Sequence, residues 1–221
     1  SIFAFDNSEI SNMRKIIFIA FLAMLMIMPS AAQVTFGVRA GGAYSSLVQK
    51  VEGTYNAGAR FGFSLAGLAD IPLYKGLSLR PELAFVNQGG SFISNFQVEG
   101  AKNSLNKCSY YSIQVPVNLA YTFHINDVQL GVYAGPALDF SLFGKMKTEN
   151  QNVDIHFGQT KEADLKTFDL GVSVGLRVDY SRYFFSVGAL CGTLDRRAIE
   201  REGESSLYQN NVTLSLGYMF R

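Results

Sequence analysis

The sequence predicts an all-β fold, an eight-stranded antiparallel up-and-down β-barrel that crosses a membrane. Three observations predict it. Apolar residues recur at every second position over long stretches. The stretches are long enough to cross a bilayer as tilted strands. The connections between them alternate between long and short. Composition agrees: the 221 residues are 48% hydrophobic and only 17% charged, against about 25% charged in typical soluble domains. Abundant Phe, Tyr, Leu and Val exclude disorder. A net charge of +1, from 19 Lys+Arg against 18 Asp+Glu, leaves no basic field for nucleic acid.

The alternation is clearest in three stretches. In 111–123, Tyr111, Ile113, Val115, Val117, Leu119, Tyr121 and Phe123 share one parity. In 168–180 the same holds for Phe168, Leu170, Val172, Val174, Leu176, Val178 and Tyr180. In 211–220 it holds for Val212, Leu214, Leu216, Tyr218 and Phe220. A helix would space its apolar residues three and four apart, so these are strands with one apolar face. The same template finds 34–41, 60–65, 77–85, 128–139 and 183–190, which makes eight. Most of the eight are about 9 to 14 residues long, as membrane strands are and average globular strands are not.

The connections near 44–56, 89–109, 144–166 and 193–209 are long, and those near 70–76, 124–127 and 181–182 are short. Outer-membrane barrels have this asymmetry. No amphipathic helix separates the strands, which excludes parallel βαβ architecture.

The N-terminus is expected to stand apart from the barrel, which occupies 33–221. Met13 is followed by basic Arg14 and Lys15, an unbroken apolar run from Ile16 to Met28, and the small-residue site Ser30-Ala31-Ala32. That order is the plan of a secretory signal peptide over 13–32. The run would form a helix of about 20 Å, too short to span a bilayer. Residues 1–12 read as an upstream extension of the gene model.

Volume decides which face points inward. Eight strands leave an interior just wide enough for side chains. The parity rich in Gly, Ser and Ala also carries Arg39, Arg60, Arg80, Glu82, Asp139, Asp169, Arg177 and Asp179. Small residues and paired charges fit such an interior, whereas the large residues of the other parity would overfill it. Buried charges persist only when paired, and here four cations face four carboxylates, with Glu82 beside Arg80 on one strand. The expected barrel is therefore plugged and non-conducting. Tyr74, Phe123, Tyr180, Tyr183, Tyr218 and Phe220 cluster beside the short turns as an interfacial girdle. The final strand, with Tyr218 and Phe220, resembles the C-terminal aromatic signal read by the bacterial barrel-insertion machinery, and these two residues are expected to serve as that signal.

Several segments then resemble a known family. LSLRPELAFVNQGG (77–90) resembles the third strand of PorT-like outer-membrane β-barrel proteins, often called porin-family proteins. YYSIQVPVNLAYTF (110–123) resembles their fourth strand, although Gln114-Val115 departs from the usual approach to Pro. AGPALDF (134–140), VTFGVRAGGAYSS (34–46) and NVTLSLGYMF (211–220) match in kind. The resemblance implies an eight-stranded barrel in the outer membrane of a Gram-negative cell. It implies no single activity.

Chemical motifs are missing. The sequence contains no P-loop, G-x-S-x-G or H-E-x-x-H. His124 and His156 fall at opposite ends, so a shared metal site is not expected. No Ser, His and acid meet on neighbouring strands, so the chain reads as a non-enzyme without a cofactor. Cys108 and Cys191 lie toward the long-loop end. A disulfide would need their Cα atoms within about 7 Å. Loop 193–209, with Asp195, Arg196, Arg197, Glu200, Arg201, Glu202 and Glu204, reads as a solvated surface or a lipopolysaccharide contact, with docking of a protein partner as the functional alternative.

Two readings remain. One is an outer-membrane barrel with a structural, adhesive or complex-forming role through its loops. Its partners would be membrane lipid and lipopolysaccharide, the assembly machinery during insertion, and a protein at the loops. The other is a secreted soluble lipocalin-like barrel that binds a small apolar ligand.

Overall fold

The computed structural model describes residues 34–51, 54–94, 104–148, 151–158, 163–198 and 206–220. The expected signal peptide at 13–32 and the extension at 1–12 lie outside the described residues. The strands are β1 (Thr35–Val51), β2 (Thr54–Tyr74), β3 (Leu77–Ser94), β4 (Ser104–Ile125), β5 (Val128–Thr148), β6 (Gln151–Asp154), β7 (Phe168–Tyr180), β8 (Tyr183–Gly192) and β9 (Leu207–Phe220).

Eight of them close a ring. The order β4-β3-β2-β1-β9-β8-β7-β5 returns on itself through the β4–β5 pairing, and the named neighbours are antiparallel. The protein is an eight-stranded antiparallel barrel. Among the described residues, each of these eight strands has a neighbour on both sides, the condition for strands to cross lipid. β6 is an addition that sequence did not reveal. It is four residues long and, among the described residues, pairs with the tip of β5.

The strands outrun their predicted bounds at the long-loop end. β2, β4 and β5 have 21, 22 and 21 residues. Much of the predicted loops 44–56, 89–109 and 144–166 is therefore ladder. Alternation of apolar residues marks only the part of a strand that touches lipid, whereas hydrogen-bonded pairing continues past it. At the other end the connections are turns of two residues, Lys75–Gly76, Asn126–Asp127 and Ser181–Arg182. Lys75, Asn126 and Ser181 have positive φ, the backbone sense of hairpin turns that follow strand twist.

The apolar parity faces out. Phe61, Leu83, Leu216 and Tyr183 are 79%, 61%, 69% and 67% exposed, and comparable side chains cover every barrel strand. In water such a surface would be a severe aggregation liability; against acyl chains it is the required one. The sheet inverts a soluble protein, so the soluble lipocalin-like alternative has no support. No helix among the described residues is long and apolar enough to cross a membrane, and crossing is by strands.

Two aromatic girdles bound the apolar band. The turn-side girdle includes the Tyr121–Phe123, Tyr183–Tyr218 and Tyr218–Phe220 ring contacts, at 4.8, 5.3 and 5.5 Å. The loop-side girdle was not anticipated. It joins Tyr44 to Phe61, Phe85 to Tyr111, and Tyr111 to Phe143, at 4.9, 5.4 and 5.0 Å. Ten residues separate Tyr111 from Tyr121 on β4. At about 3.3 Å per residue and a tilt near 40°, the girdles stand about 25 Å apart, the height of an outer-membrane apolar band.

Candidate functional site

The polar parity fills the barrel in layers, starting from the turn side. Arg80 donates through Nε to Asp70 at 2.7 Å and through Nη2 to Thr122 at 3.1 Å. Arg177 pairs with Asp179 on its own strand, and its guanidinium lies 3.9 Å from the centre of the Phe184 ring. Phe184 packs with Leu68 and Met219. These aromatic and apolar groups enter an interior expected to hold small residues and charges. Gly217 makes the space, since a Cβ there would collide with the Phe184 ring. Tyr133 likewise lies across Gly175 and Gly188.

In the next layer Arg39 pairs with Glu82 and donates from Nη1 to Ser64 and Ser215 at 3.2 and 3.0 Å. Glu82 therefore pairs with Arg39 across the sheet, not with its chain neighbour Arg80, which takes Asp70. Asp70 falls at the start of the short connection expected near 70–76, so no alternation marks its inward carboxylate, yet it lies on β2. A cavity of about 30 Å³ beside Arg39, Glu82, Tyr133 and Asn118 has room for about one water.

Above it, the carboxylate of Asp139 accepts from the Gln88 and Gln114 amides at 2.6 and 2.7 Å. Arg60 donates to the Gln88 carbonyl at 2.9 Å. The Asn87-Gln88-Gly89-Gly90 run of β3 is buried throughout. Its backbone turns at Gly89, where φ is +145°, and the Gly89 amide donates to Ser45 Oγ at 3.0 Å. A Cβ at Gly90 would meet the Leu47 backbone nitrogen. This is the physical content of the QGG sequence: close approach of backbones and an amide directed at Asp139.

Asp139 and Asp169 are direct cross-strand partners. Two like charges so placed repel. Arg196, from the loop between β8 and β9, is the nearby cation whose charge favours both carboxylates, without a direct ion pair to either. Arg196 is 1% exposed, donates to Ser141 Oγ at 2.5 Å and lies 5.7 Å from the Tyr110 ring centre. Tyr110 in turn donates to Gln209 Oε1 at 2.6 Å. Arg197 is also buried and reaches Gln49 Oε1 at 3.3 Å. This corrects the solvated reading of the loop for these two residues. Asp195 makes the turn by accepting from the Arg197 and Leu207 amides at 3.0 and 2.9 Å, which directs both arginines inward. Glu200, Arg201, Glu202 and Glu204 lie outside the described residues.

An apolar cluster of Leu47, Cys108, Tyr110, Ile155, Leu165 and Leu207 closes the mouth, with Phe92, Met146 and Phe157 against it. Lys166 N donates to the Arg196 carbonyl, and Arg196 N to that of Leu207, both at 2.8 Å. The segments after β6 and after β8 are thus tied into one lid.

The remaining chemistry-bearing residues are dispersed. His124 is exposed beside a turn, and His156 is exposed at the lid, 3.6 Å from Asp164. Both cysteines are free, Cys108 beneath the lid and Cys191 exposed on β8. Tyr218 and Phe220 sit in the turn-side girdle.

A family model described as "Outer membrane protein beta-barrel domain" matches residues 29–192. No curated protein sequence matches the chain. Among solved structures, the chain is similar to Ail, the attachment invasion locus protein of Yersinia pestis, at 14% identity over 85% of this chain and 99% of that one, with a TM-score of 0.45. It is similar to Neisserial surface protein A at 14% identity, with the same coverages and a TM-score of 0.47. It is also similar to a major outer membrane protein from Thermus thermophilus, at 13% identity over 85% and 100%, with a TM-score of 0.49.

Proposed function

The chain belongs to the outer membrane protein beta-barrel domain family, and from that premise we propose that it is a non-conducting barrel that works through its lidded extracellular end. It resides in the outer membrane. The barrel is the anchor, and the lid with its loops is the working surface, in a structural, adhesive or complex-forming role. A protein partner would dock there, with lipopolysaccharide around the rim. Tyr218 and Phe220 would serve the assembly machinery during insertion, and 13–32 would direct export. The closer likeness to PorT-like proteins belongs to this same reading.

One observation carries it. The interior is occupied from turn side to mouth by hydrogen-bonded charges and then by an apolar lid. Such a barrel offers solutes no water column, so its interactions lie on its ends and its lipid face. The reading is non-enzymatic: Arg196, Asp139 and Asp169 are buried beneath the lid and bonded to Ser141, to Gln88 and Gln114, and to the Leu194 amide.

The test is capture of partners from detergent-solubilised membranes by tagged protein, with and without residues 199–205. Shortening this loop should abolish capture while the barrel still inserts and folds. Equal capture by both forms would refute a loop-borne role.

A further inference from the structure

The lipid-facing wall is not uniformly convex. A shallow, open groove of about 840 Å³ runs across β8, β9, β1, β2, β3 and β4. Ala40 and Gly67 form its floor, Leu83 and Leu216 its rims, and Tyr218 stands at its turn-side end. Five strand spacings of about 4.8 Å give it a span of about 24 Å. Its lining is apolar, so only an apolar occupant avoids a desolvation cost there.

Charge is distributed to match. Of the three short turns, two carry a cation, Lys75 and Arg182, and the third carries Asp127. The two cationic turns join β2 to β3 and β7 to β8. They therefore flank the β9–β1 seam, where the groove lies, whereas the acidic turn joins β4 to β5. Arg182 is exposed and donates to the Tyr218 hydroxyl at 3.2 Å. That bond holds a guanidinium at the head of an apolar channel. Short turns face the periplasm in outer-membrane barrels, and the periplasmic leaflet is built of phospholipids. A guanidinium binds phosphate with paired donors.

We propose that this groove is a binding site for one anionic phospholipid of the periplasmic leaflet, with an acyl chain over Ala40 and Gly67 and the phosphate at Arg182. Small side chains at these outward positions give the chain a bed that Leu or Phe would fill. The tyrosine hydroxyls mark the depth at which headgroup meets hydrocarbon.

Native mass spectrometry of the detergent-solubilised full chain, titrated with phosphatidylglycerol or phosphatidylcholine, tests this. One phosphatidylglycerol should be retained at about tenfold lower lipid concentration than phosphatidylcholine. Gly67→Leu should reduce retention of both at least fivefold. A Cβ at Gly67 meets nothing within 4 Å, so this variant should still fold, which heat-modifiable gel migration verifies. Arg182→Gln should remove the preference and leave phosphatidylcholine retention unchanged. Ala134→Leu, on the lipid face of β5, should change neither. Equal retention of the two lipids by the parent would overturn the proposal. So would unaltered binding by Gly67→Leu, an equal loss in Ala134→Leu, or a lipid-free dimer in place of the complex.

Discussion

Replacing Glu82 with Ala removes the partner of a cation that cannot leave the barrel. Arg39 is held by Glu82 through Nε, at 2.7 Å, and through Nη2. The two side chains are only 12% and 13% exposed. Removing one member of a buried pair costs about 3–5 kcal/mol, because the other charge is left uncompensated. Arg39 keeps Ser64 and Ser215 as neutral acceptors, which places Glu82→Ala at the low end, about 3 kcal/mol. Glu82→Gln keeps an acceptor and should lose about 1–2 kcal/mol. Arg39→Met with Glu82→Leu removes both charges together and should lie within about 1 kcal/mol of the parent. Urea unfolding in detergent micelles, followed by gel migration and tyrosine fluorescence, yields all three values and the coupling energy of the cycle. A Glu82→Ala barrel within about 0.5 kcal/mol of the parent, the ordinary range for surface substitutions, would refute the reasoning.

Other consequences follow from the same packing. Arg196→Ala leaves Asp139 and Asp169 opposed without their cation. It should cost about 1–3 kcal/mol, and Asp169→Asn should restore part of the loss in the same unfolding assay; no rescue would mean that Arg196 acts through packing alone. In folded protein, a maleimide should label Cys191 and spare Cys108, and in denatured protein both should react. Fast labelling of Cys108 in the folded state would show that the lid is open. Gly217→Val should lower stability by about 1–3 kcal/mol through overpacking against Phe184, read as a lower unfolding midpoint; an unchanged midpoint would dispute the placement of that ring.

The barrel was legible because lipid contact imposes a strict rule on sequence. Each outward residue from Phe168 to Tyr180 must be apolar, and alternation with Asp169, Arg177 and Asp179 states both the strand and its facing. The ends of the strands were less legible. Beyond the girdles, outward positions such as Lys145 and Lys147 meet water, so the apolar alternation stops while the hydrogen bonds continue. Partner choice inside the barrel was hidden for a different reason. Arg39 meets Glu82 because β2 separates their strands and tilt aligns them, and neighbours in sequence say nothing about that register. Arg196 was the least legible of all. A charged residue in a charged loop has no pattern that marks it as buried. Only the Asp195 turn and the opposed Asp139 and Asp169 account for its position.

The central claim is that the interior is closed. Conductance of the unmodified, refolded protein in planar bilayers tests it most directly. The layered pairs from Asp70–Arg80 to Arg196 beneath its apolar lid predict a baseline indistinguishable from that of protein-free membranes. Stable, long-lived channels from the parent protein would contradict the account. They would mean that water passes where these side chains are packed.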